Sequence, residues 1–98
     1  MEINGYNNYF IYPDGRVSSK RFPNKFLKGG KAHGYPHVDV SKDGVKKTFQ
    51  IHRLVATHYI PNPDNLPQVD HINRIRSDNR IENLRWVTRS ENQQNPRS

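Results

Sequence analysis

A change of hydrophobic period near the middle of the chain limits the possible folds most strongly. Residues 35–40 (YPHVDV) alternate between polar and apolar side chains, and the turn signal SKDG separates them from the β-type run 45–51 (VKKTFQI). In residues 52–60 (HRLVATHYI) the apolar side chains instead recur at helical spacing, and Pro61 ends that pattern. The sequence therefore predicts a β-hairpin followed directly by a helix of about two turns.

The residues before this hairpin predict further strands. Residues 8–12 (NYFIY) and 16–18 (RVS) flank the turn signal PDG, which indicates another hairpin. Residues 20–34 are rich in lysine and glycine, and they are interpreted as a loop or an irregular strand pair. The first half of the chain is therefore predicted to form a small antiparallel sheet.

A second pattern follows the proline-rich residues 61–67. Residues 68–72 (QVDHI) are predicted to form a short strand, residues 73–82 a polar loop, and residues 83–87 (NLRWV) a second strand. Thr88 followed by Glu91 is a capping box, which predicts a helix that begins at Thr88.

The predicted fold class is α+β. It combines a basic antiparallel-sheet module with a helix (residues 1–60), a connector (61–67) and a strand–loop–strand–helix unit (68–98).

Composition excludes several classes of protein. The chain has 98 residues, which suits one small domain, and only 32% of them are hydrophobic, so the core must be thin. Cysteine is absent, which excludes disulfides and a cysteine-ligated zinc site. No apolar run is long enough for a membrane span, and the N-terminus is not of signal-peptide type. We therefore expect an intracellular protein that makes no membrane contact.

The charge is strongly positive and uneven. The net charge is +7, and the segment from Arg16 to Lys31 carries six basic residues and no acidic one. Such a distribution indicates a polyanionic partner, most simply nucleic acid, although a solvated basic surface would have the same composition. The candidate DNA-binding residues are Arg16, Lys20, Arg21, Lys25, Lys28 and Lys31, together with Arg74, Arg76 and Arg80 in the polar loop.

Asp70, His71 and Asn92 carry the chemistry of a candidate site. A helix that crosses the strand pair would bring Asn92 close to Asp70, and carboxylate and amide oxygens suit Mg²⁺. A neutral imidazole such as that of His71 is a natural general base near pH 7. Taken one at a time, these residues are more simply explained as a polar loop and a solvent-facing helix residue, and Asn83 as a turn residue.

The joint pattern resembles the HNH, or ββα-metal, nuclease motif. The matching segments are VDHI at 69–72, NLRWVT at 83–88 and Asn92 in the next helix, so that Asn83 and Asn92 follow Asp70 by 13 and 22 residues. Residues 49–60 and 5–19 also resemble the corresponding segments of phage intron-encoded HNH homing endonucleases. In those proteins the segment matching 5–19 belongs to a DNA-contacting module.

The resemblance implies a role for each matching residue. His71 corresponds to the general base, Asp70 and Asn92 to the two protein ligands of one Mg²⁺ or Mn²⁺ ion, and Asn83 to the residue that holds the loop. Many HNH proteins carry histidine at the position of Asn92, whereas the homing branch also uses asparagine. Because CxxC pairs are absent, no structural zinc is expected. Packing on the preceding helix is expected instead from Ile72, Leu84, Trp86 and Val87.

The expected function is that of a divalent-metal-dependent endonuclease acting on double-stranded DNA. A monomer would nick the DNA, and a double-strand cut would need a homodimer or two successive events. The resemblance also implies a phage-encoded protein in the cytoplasm of a bacterial host. Two alternatives stay open: a non-catalytic DNA-binding module, and an RNA-processing nuclease.

Overall fold

The strands of the first half form two antiparallel sheets rather than one. The computed structural model describes residues 1–32 and 34–90. The first sheet has the strand order β1-β2-β3-β4 and comprises β1 (Glu2–Ile3), β2 (Tyr6–Ile11), β3 (Val17–Ser19) and β4 (Phe22–Phe26). The second sheet has the order β5-β6-β7 and comprises β5 (Gly30–Ala32), β6 (Tyr35–Lys42) and β7 (Val45–Gln50).

Both predicted hairpins are confirmed, and the lysine- and glycine-rich segment between them contributes one strand to each sheet. Its strands β4 and β5 do not pair with each other: Phe26 of β4 lies opposite Ser18, whereas Gly30 of β5 lies opposite His37. The division between the sheets therefore falls inside residues 20–34, where the sequence carries no regular apolar alternation to fix a register.

The predicted helix is α1 (Ile51–Tyr59). Its buried residues are Ile51, His52, Leu54, Val55 and Ala56, which face the strands that precede and follow it. Gln50 at its N-terminus makes no capping hydrogen bond through its side chain, so packing stabilises this short helix more than capping does. Ile60 is extended, with φ −113° and ψ 117°, as expected for a residue that precedes proline.

The strand pair after the connector is also confirmed. β8 (Gln68–His71) and β9 (Leu84–Val87) are antiparallel, and a short 3-10 turn (Ile81–Asn83) leads into β9. Residues 89 and 90 are helical, as the capping box predicts. Glu91 and Asn92 lie outside the described residues.

One hydrophobic core contains residues from both sides of the connector. Its members include Ile3, Val38 and Val55 from the first part of the chain, and Val69 and Leu84 from β8 and β9. No helix among the described residues is long and apolar enough to cross a membrane.

One packing expectation is wrong. Ile72 does not pack on the helix but is 53% exposed, because the chain turns directly after β8. Val69 and Leu84 supply the apolar contacts of the strand pair with the core. Trp86 is partly buried against that core, and its indole Nε1 donates to the carbonyl oxygen of Ile60 at 3.1 Å.

Candidate active site

Strand β8 buries an acid and a histidine side by side. Successive side chains of a strand point to opposite faces, and Asp70 and His71 are nevertheless only 3% and 4% exposed. Asp70 lies opposite Arg85 of β9, whose Nε donates to Asp70 Oδ2 at 2.9 Å. The other carboxylate oxygen, Asp70 Oδ1, is buried and has no hydrogen-bond partner among the described residues.

The orientation of His71 is fixed by Asn79. Its Nε2 lies 2.7 Å from Asn79 Oδ1 in a buried hydrogen bond, and Asn79 is 4% exposed. Because an amide oxygen only accepts, His71 Nε2 is the donor in this bond, and in a neutral imidazole Nδ1 then carries the lone pair. This tautomer leaves one nitrogen of the imidazole able to accept a proton.

Two further rings pack against His71. The ring centroid of His52 lies 5.2 Å from that of His71, and the centroid of Tyr35 lies 5.1 Å from His52 and 6.1 Å from His71. Burial, together with smaller effects of the nearby His71 and Arg53, lowers the pKa of His52 to about 4. His52 is therefore neutral near pH 7 and serves as an uncharged wall beside His71.

Asn83 holds the loop that follows β8. Its Oδ1 accepts from the backbone N–H of Asn73 at 2.9 Å, and its Nδ2 donates to the carbonyl oxygen of Asp78 at 2.7 Å. The backbone N–H of Ile72 also donates to the carbonyl oxygen of Asn83 at 2.8 Å. These bonds tie the start and the middle of the loop to one buried asparagine. The role that the resemblance implies for Asn83 stays a prediction.

An ion pair stiffens the same loop. Arg80 donates through Nε and Nη2 to the two carboxylate oxygens of Asp78, at 2.7 and 2.8 Å. This contact holds the pKa of Asp78 far below its usual range. Asn73 Nδ2 also donates to Asp78 Oδ2 at 2.8 Å. Arg80 therefore contacts a carboxylate of its own loop in this structure.

The turn between β2 and β3 supports the loop from the other side. The backbone N–H of Ile81 donates to the carbonyl oxygen of Pro13 at 3.0 Å. Gly15 has φ +92°, and a Cβ built on it would lie 3.0 Å from Cβ of Asn79 and 3.1 Å from Cγ2 of Ile51. Glycine is thus required here for both conformation and space.

The candidate DNA-binding cations of residues 16–31 lie on exposed positions from the β2–β3 turn to β5. Arg16 forms an ion pair with Asp14 and stacks over Phe26, with its Cζ 4.4 Å from the ring centroid. Lys20 pairs with Glu2 at 2.6 Å. The remaining exposed cations of this segment are Arg21, Lys25, Lys28 and Lys31.

Two of the loop arginines lie in the turns after His71. Arg74 is exposed. Arg76 lies over Tyr35, with its Cζ 4.7 Å from the ring centroid, and Tyr35 in turn packs near His71. The Tyr35 ring therefore contacts Arg76 and also lies near the imidazole of His71.

Four residues around Asp70 and His71 are not predicted from the sequence: Tyr35, His52, Asn79 and Arg85. Each comes from a different element, and their contacts depend on tertiary packing. The cross-strand pair of Asp70 and Arg85 is the easiest of these contacts to predict, because it follows once the register of β8 and β9 is known. The sequence offers no comparable signal for Asn79, which is one of two asparagines in the polar loop of residues 73–82.

Of the two expected metal ligands, Asp70 and Asn92, the structure describes only Asp70. The described residues contain no group of three or more histidine, cysteine, aspartate or glutamate side chains that would hold a metal. Mg²⁺ often needs only one or two protein oxygens, because water and phosphate supply the others. The buried, unpartnered Asp70 Oδ1 is such an oxygen, whereas the second expected ligand, Asn92, lies outside the described residues.

The buried Asp-His pair on its strand–loop–strand frame lies inside a segment that matches a known family. Residues 49–94 match the family model described as HNH endonuclease, so this part of the chain is similar to HNH endonucleases.

Particular relatives support this similarity. The chain is 46% identical over 93 residues to one uncharacterized HNH endonuclease of Acanthamoeba polyphaga mimivirus, and 40% identical over 97 residues to another. These alignments cover 94% and 96% of this chain but only 28% and 24% of those relatives.

A phage protein is also similar over the whole chain. DNA endonuclease I-HmuI of Bacillus phage SP01 is 34% identical over 105 residues, which cover 99% of this chain and 56% of I-HmuI. A solved structure on DNA binding and cleavage by the HNH homing endonuclease I-HmuI matches with a TM-score of 0.86 and 38% identity, over 97% of this chain and 55% of that chain. The α+β fold class is thereby confirmed. The chain spans about half of I-HmuI and about a quarter of the mimiviral proteins.

Proposed function

We propose that this protein is a divalent-metal-dependent endonuclease that hydrolyses phosphodiester bonds of double-stranded DNA, with Asp70 and His71 at its active site. The observation that carries the proposal is the buried pair on β8. One oxygen of Asp70 has no partner among the described residues, and the tautomer of His71 leaves Nδ1 as a base. The relatives named as HNH endonucleases support the same reaction class.

His71 acts as the general base. It removes a proton from water, whose oxygen bonds to phosphorus as the bond from phosphorus to the in-line 3′ oxygen breaks. The departing oxygen takes a proton from solvent water, so that the products are a 3′-hydroxyl and a 5′-phosphate. General-base assistance of this kind accelerates a reaction by about 10²–10⁴-fold. Asn79 and Asn83 are positioning residues: the first orients the imidazole, and the second holds the loop that carries the first.

Asp70 and Asn92 would hold the divalent metal, Mg²⁺ or Mn²⁺. When bound, the metal supplies Lewis-acid stabilisation of the charge that develops on phosphate oxygens. Asp70 contributes its buried carboxylate oxygen Oδ1, which forms no hydrogen bond with any described residue. Arg85 balances the carboxylate charge from the neighbouring strand.

DNA is held mainly by electrostatic contacts. The exposed cations on residues 16–31 and the arginines of the loop form the proposed phosphate-binding surface. If about six of them contact phosphates, DNA affinity falls roughly a thousandfold between about 50 and 200 mM salt. Arg80 contributes to the phosphate contacts only if it leaves Asp78, so we expect the exposed Arg74 to contribute more than Arg80.

We further propose that one chain nicks one strand, because one site holds one scissile phosphate at a time. A double-strand cut then needs a homodimer or two successive nicks. The relatives come from a Bacillus phage and a mimivirus, which supports a virus-encoded protein that works inside the host cell. A phage origin would place it in the cytoplasm of a bacterium.

Supercoiled plasmid provides the functional test. Purified protein with Mg²⁺ or Mn²⁺ should convert plasmid to the nicked form, and EDTA should stop the reaction. A parallel gel-shift experiment in EDTA measures binding to duplex DNA and to RNA of the same length. Binding of DNA without cleavage under any divalent metal would leave a DNA-binding module, and faster cleavage of RNA than of DNA would indicate an RNA-processing nuclease.

A further inference from the structure

Two exposed isoleucines immediately follow the proposed base. Ile72 and Ile75 are each 53% exposed, in the loop between β8 and the 3-10 turn. Ile72 is the next residue after His71, so its Cα lies about 3.8 Å from the Cα of His71. Single exposed apolar residues are common on protein surfaces. Two of them beside a buried candidate base form a local feature that the proposed chemistry does not use.

The backbone of these isoleucines is held firmly by hydrogen bonds. The N–H of Ile72 donates to the carbonyl oxygen of Asn83 at 2.8 Å, and the N–H of Ile75 donates to Asn73 Oδ1 at 2.9 Å. The carbonyl oxygen of Ile75 accepts from the N–H of Asp78 at 3.0 Å. The loop therefore presents both side chains from a backbone that is hydrogen-bonded on either side of Arg74.

The charges around the isoleucines are complementary to DNA. Arg74 lies between them and Arg76 follows them, and no acidic residue stands between His71 and Ser77. Arg74 has φ 64°, a left-handed conformation that is uncommon for arginine and that closes the turn between the two isoleucines. Apolar side chains flanked by arginines are typical of proteins that enter the minor groove and insert a wedge between base pairs.

We propose that Ile72 and Ile75 form an apolar wedge that enters the DNA minor groove and partly unstacks a base step beside the scissile phosphate. The inference rests on the proposed DNA cleavage, because it assigns the wedge to the same site. Unstacking would bend the duplex toward the major groove and bring the phosphate backbone to His71. The wedge would therefore position the substrate without taking part in the chemical step.

Plasmid unwinding tests the wedge separately from cleavage and needs no knowledge of the recognition sequence. Closed circular plasmid is relaxed by a metal-independent topoisomerase I in EDTA, with increasing concentrations of the full chain, and the topoisomers are separated after protein removal. An inserted wedge unwinds the duplex, so the distribution should shift toward more negative linking number as protein is added. The double variant Ile72→Ala/Ile75→Ala should lose this shift.

A matched control is available at Val45. This residue is 69% exposed and lies opposite Lys42, the last residue of β6. The length of β6, about 23 Å, separates Lys42 from Tyr35, whose ring lies near His71. Val45→Ala should keep the wild-type shift. The double variant should bind DNA within about threefold of wild type, because the lost contacts and the unstacking cost offset each other. Its salt dependence should be unchanged, because no phosphate contact is removed.

The outcomes separate the wedge from the nuclease function. Unwinding that persists in the double variant, or DNA binding without unwinding by the wild-type protein, would overturn the wedge. A change in oligomeric state of the double variant, with unwinding unaffected, would also overturn it and assign the isoleucines to a protein interface. Unwinding without cleavage under any divalent metal would sustain the wedge and reject the proposed nuclease.

Discussion

His71 Nε2 and Asn79 Oδ1 lie 2.7 Å apart in a buried hydrogen bond that joins β8 to the end of its following loop. The bond determines which nitrogen of the imidazole keeps its lone pair. It also connects the candidate base to the turn between β2 and β3, because Asn79 contacts the position of Gly15. The first sheet is therefore part of the support of the site as well as a candidate DNA-binding surface.

Removal of the Asn79 amide should misorient His71. Asn79→Ala should lower the cleavage rate by about 10- to 100-fold, because the imidazole loses the acceptor that fixes its tautomer. The dependence of the rate on metal concentration should stay the same. Asn79→Asp keeps an acceptor oxygen and should recover part of the rate. Equal rates for Asn79→Ala and wild type would show that the hydrogen bond has no positioning role.

A methyl group at Gly15 should disturb the same contact. Gly15→Ala places an alanine at φ +92° and within 3.0 Å of Asn79 Cβ. Gly44→Ala is the matched control, because Gly44 has φ +80° and nothing within 4 Å of the added Cβ. The left-handed conformation should cost about 1 kcal/mol in both variants, and the contact should add about 1–2 kcal/mol for Gly15 alone. Urea denaturation measures both, and equal losses would contradict the contact.

Burial of His52 should make the fold sensitive to acid. The pKa of His52 is about 4 in the folded protein, below the ordinary value of 6.5, so the unfolded chain binds this proton first. The contribution of His52 to stability is therefore complete above about pH 6.5 and decreases as the pH falls toward about 4. The loss amounts to about 3 kcal/mol, since one pKa unit is worth about 1.4 kcal/mol.

The substitution His52→Gln isolates that contribution. Its free energy of unfolding should change less than that of wild type between pH 7 and pH 4.5, as measured by urea denaturation at each pH. The same slope in both proteins would show that His52 is not the acid-sensitive group.

The partner of Asp70 should influence both stability and metal binding. Arg85→Ala leaves a buried carboxylate without its cation, so it should destabilise the metal-free protein by about 1–2 kcal/mol. This loss is smaller than for a fully buried ion pair, because the Arg85 side chain is largely exposed. Divalent metal should restore part of this loss and bind more tightly than to wild type. Arg85→Lys is the charge-preserving control.

Thermal unfolding in EDTA and with increasing Mn²⁺ measures the effect of Arg85. A stabilisation by Mn²⁺ that is identical in Arg85→Ala and wild type would indicate that Arg85 and the metal do not share Asp70. Absence of any Mn²⁺ effect in both would argue against Asp70 as a ligand.

Local patterns in the sequence were sufficient for the main elements. The alternation around Val38 and Val40, the helical spacing before Pro61 and the strand pair at residues 68–72 and 83–87 are all confirmed. Each of these elements can be predicted locally, because its hydrophobic period and its turn residues lie within about ten positions of sequence. Asp70 and His71 are predicted as site residues from the resemblance to a known motif, and the structure shows that both are buried.

Contacts between distant segments were not predictable in the same way. His52 lies on α1 and Asn79 in a polar loop, and only the tertiary fold brings both to His71. Ile72 was expected in the core from its apolar character, but the turn after β8 exposes it. The register that separates β4 from β5 likewise depends on which sheet each strand can join. Asn92 lies outside the described residues, so its role as a ligand stays a prediction.

The comparison of His71→Ala with His58→Gln tests the central claim most directly. His58 is also a histidine of the same chain, but its Nδ1 bonds to the carbonyl oxygen of Leu54 and its Nε2 accepts from the N–H of Asn4, away from the candidate site. Plasmid nicking in Mg²⁺ and duplex binding in EDTA are measured for both variants. We predict that His71→Ala loses nicking by at least about 10²-fold while binding DNA nearly as well as wild type, and that His58→Gln retains both activities. Undiminished nicking by His71→Ala would contradict the account.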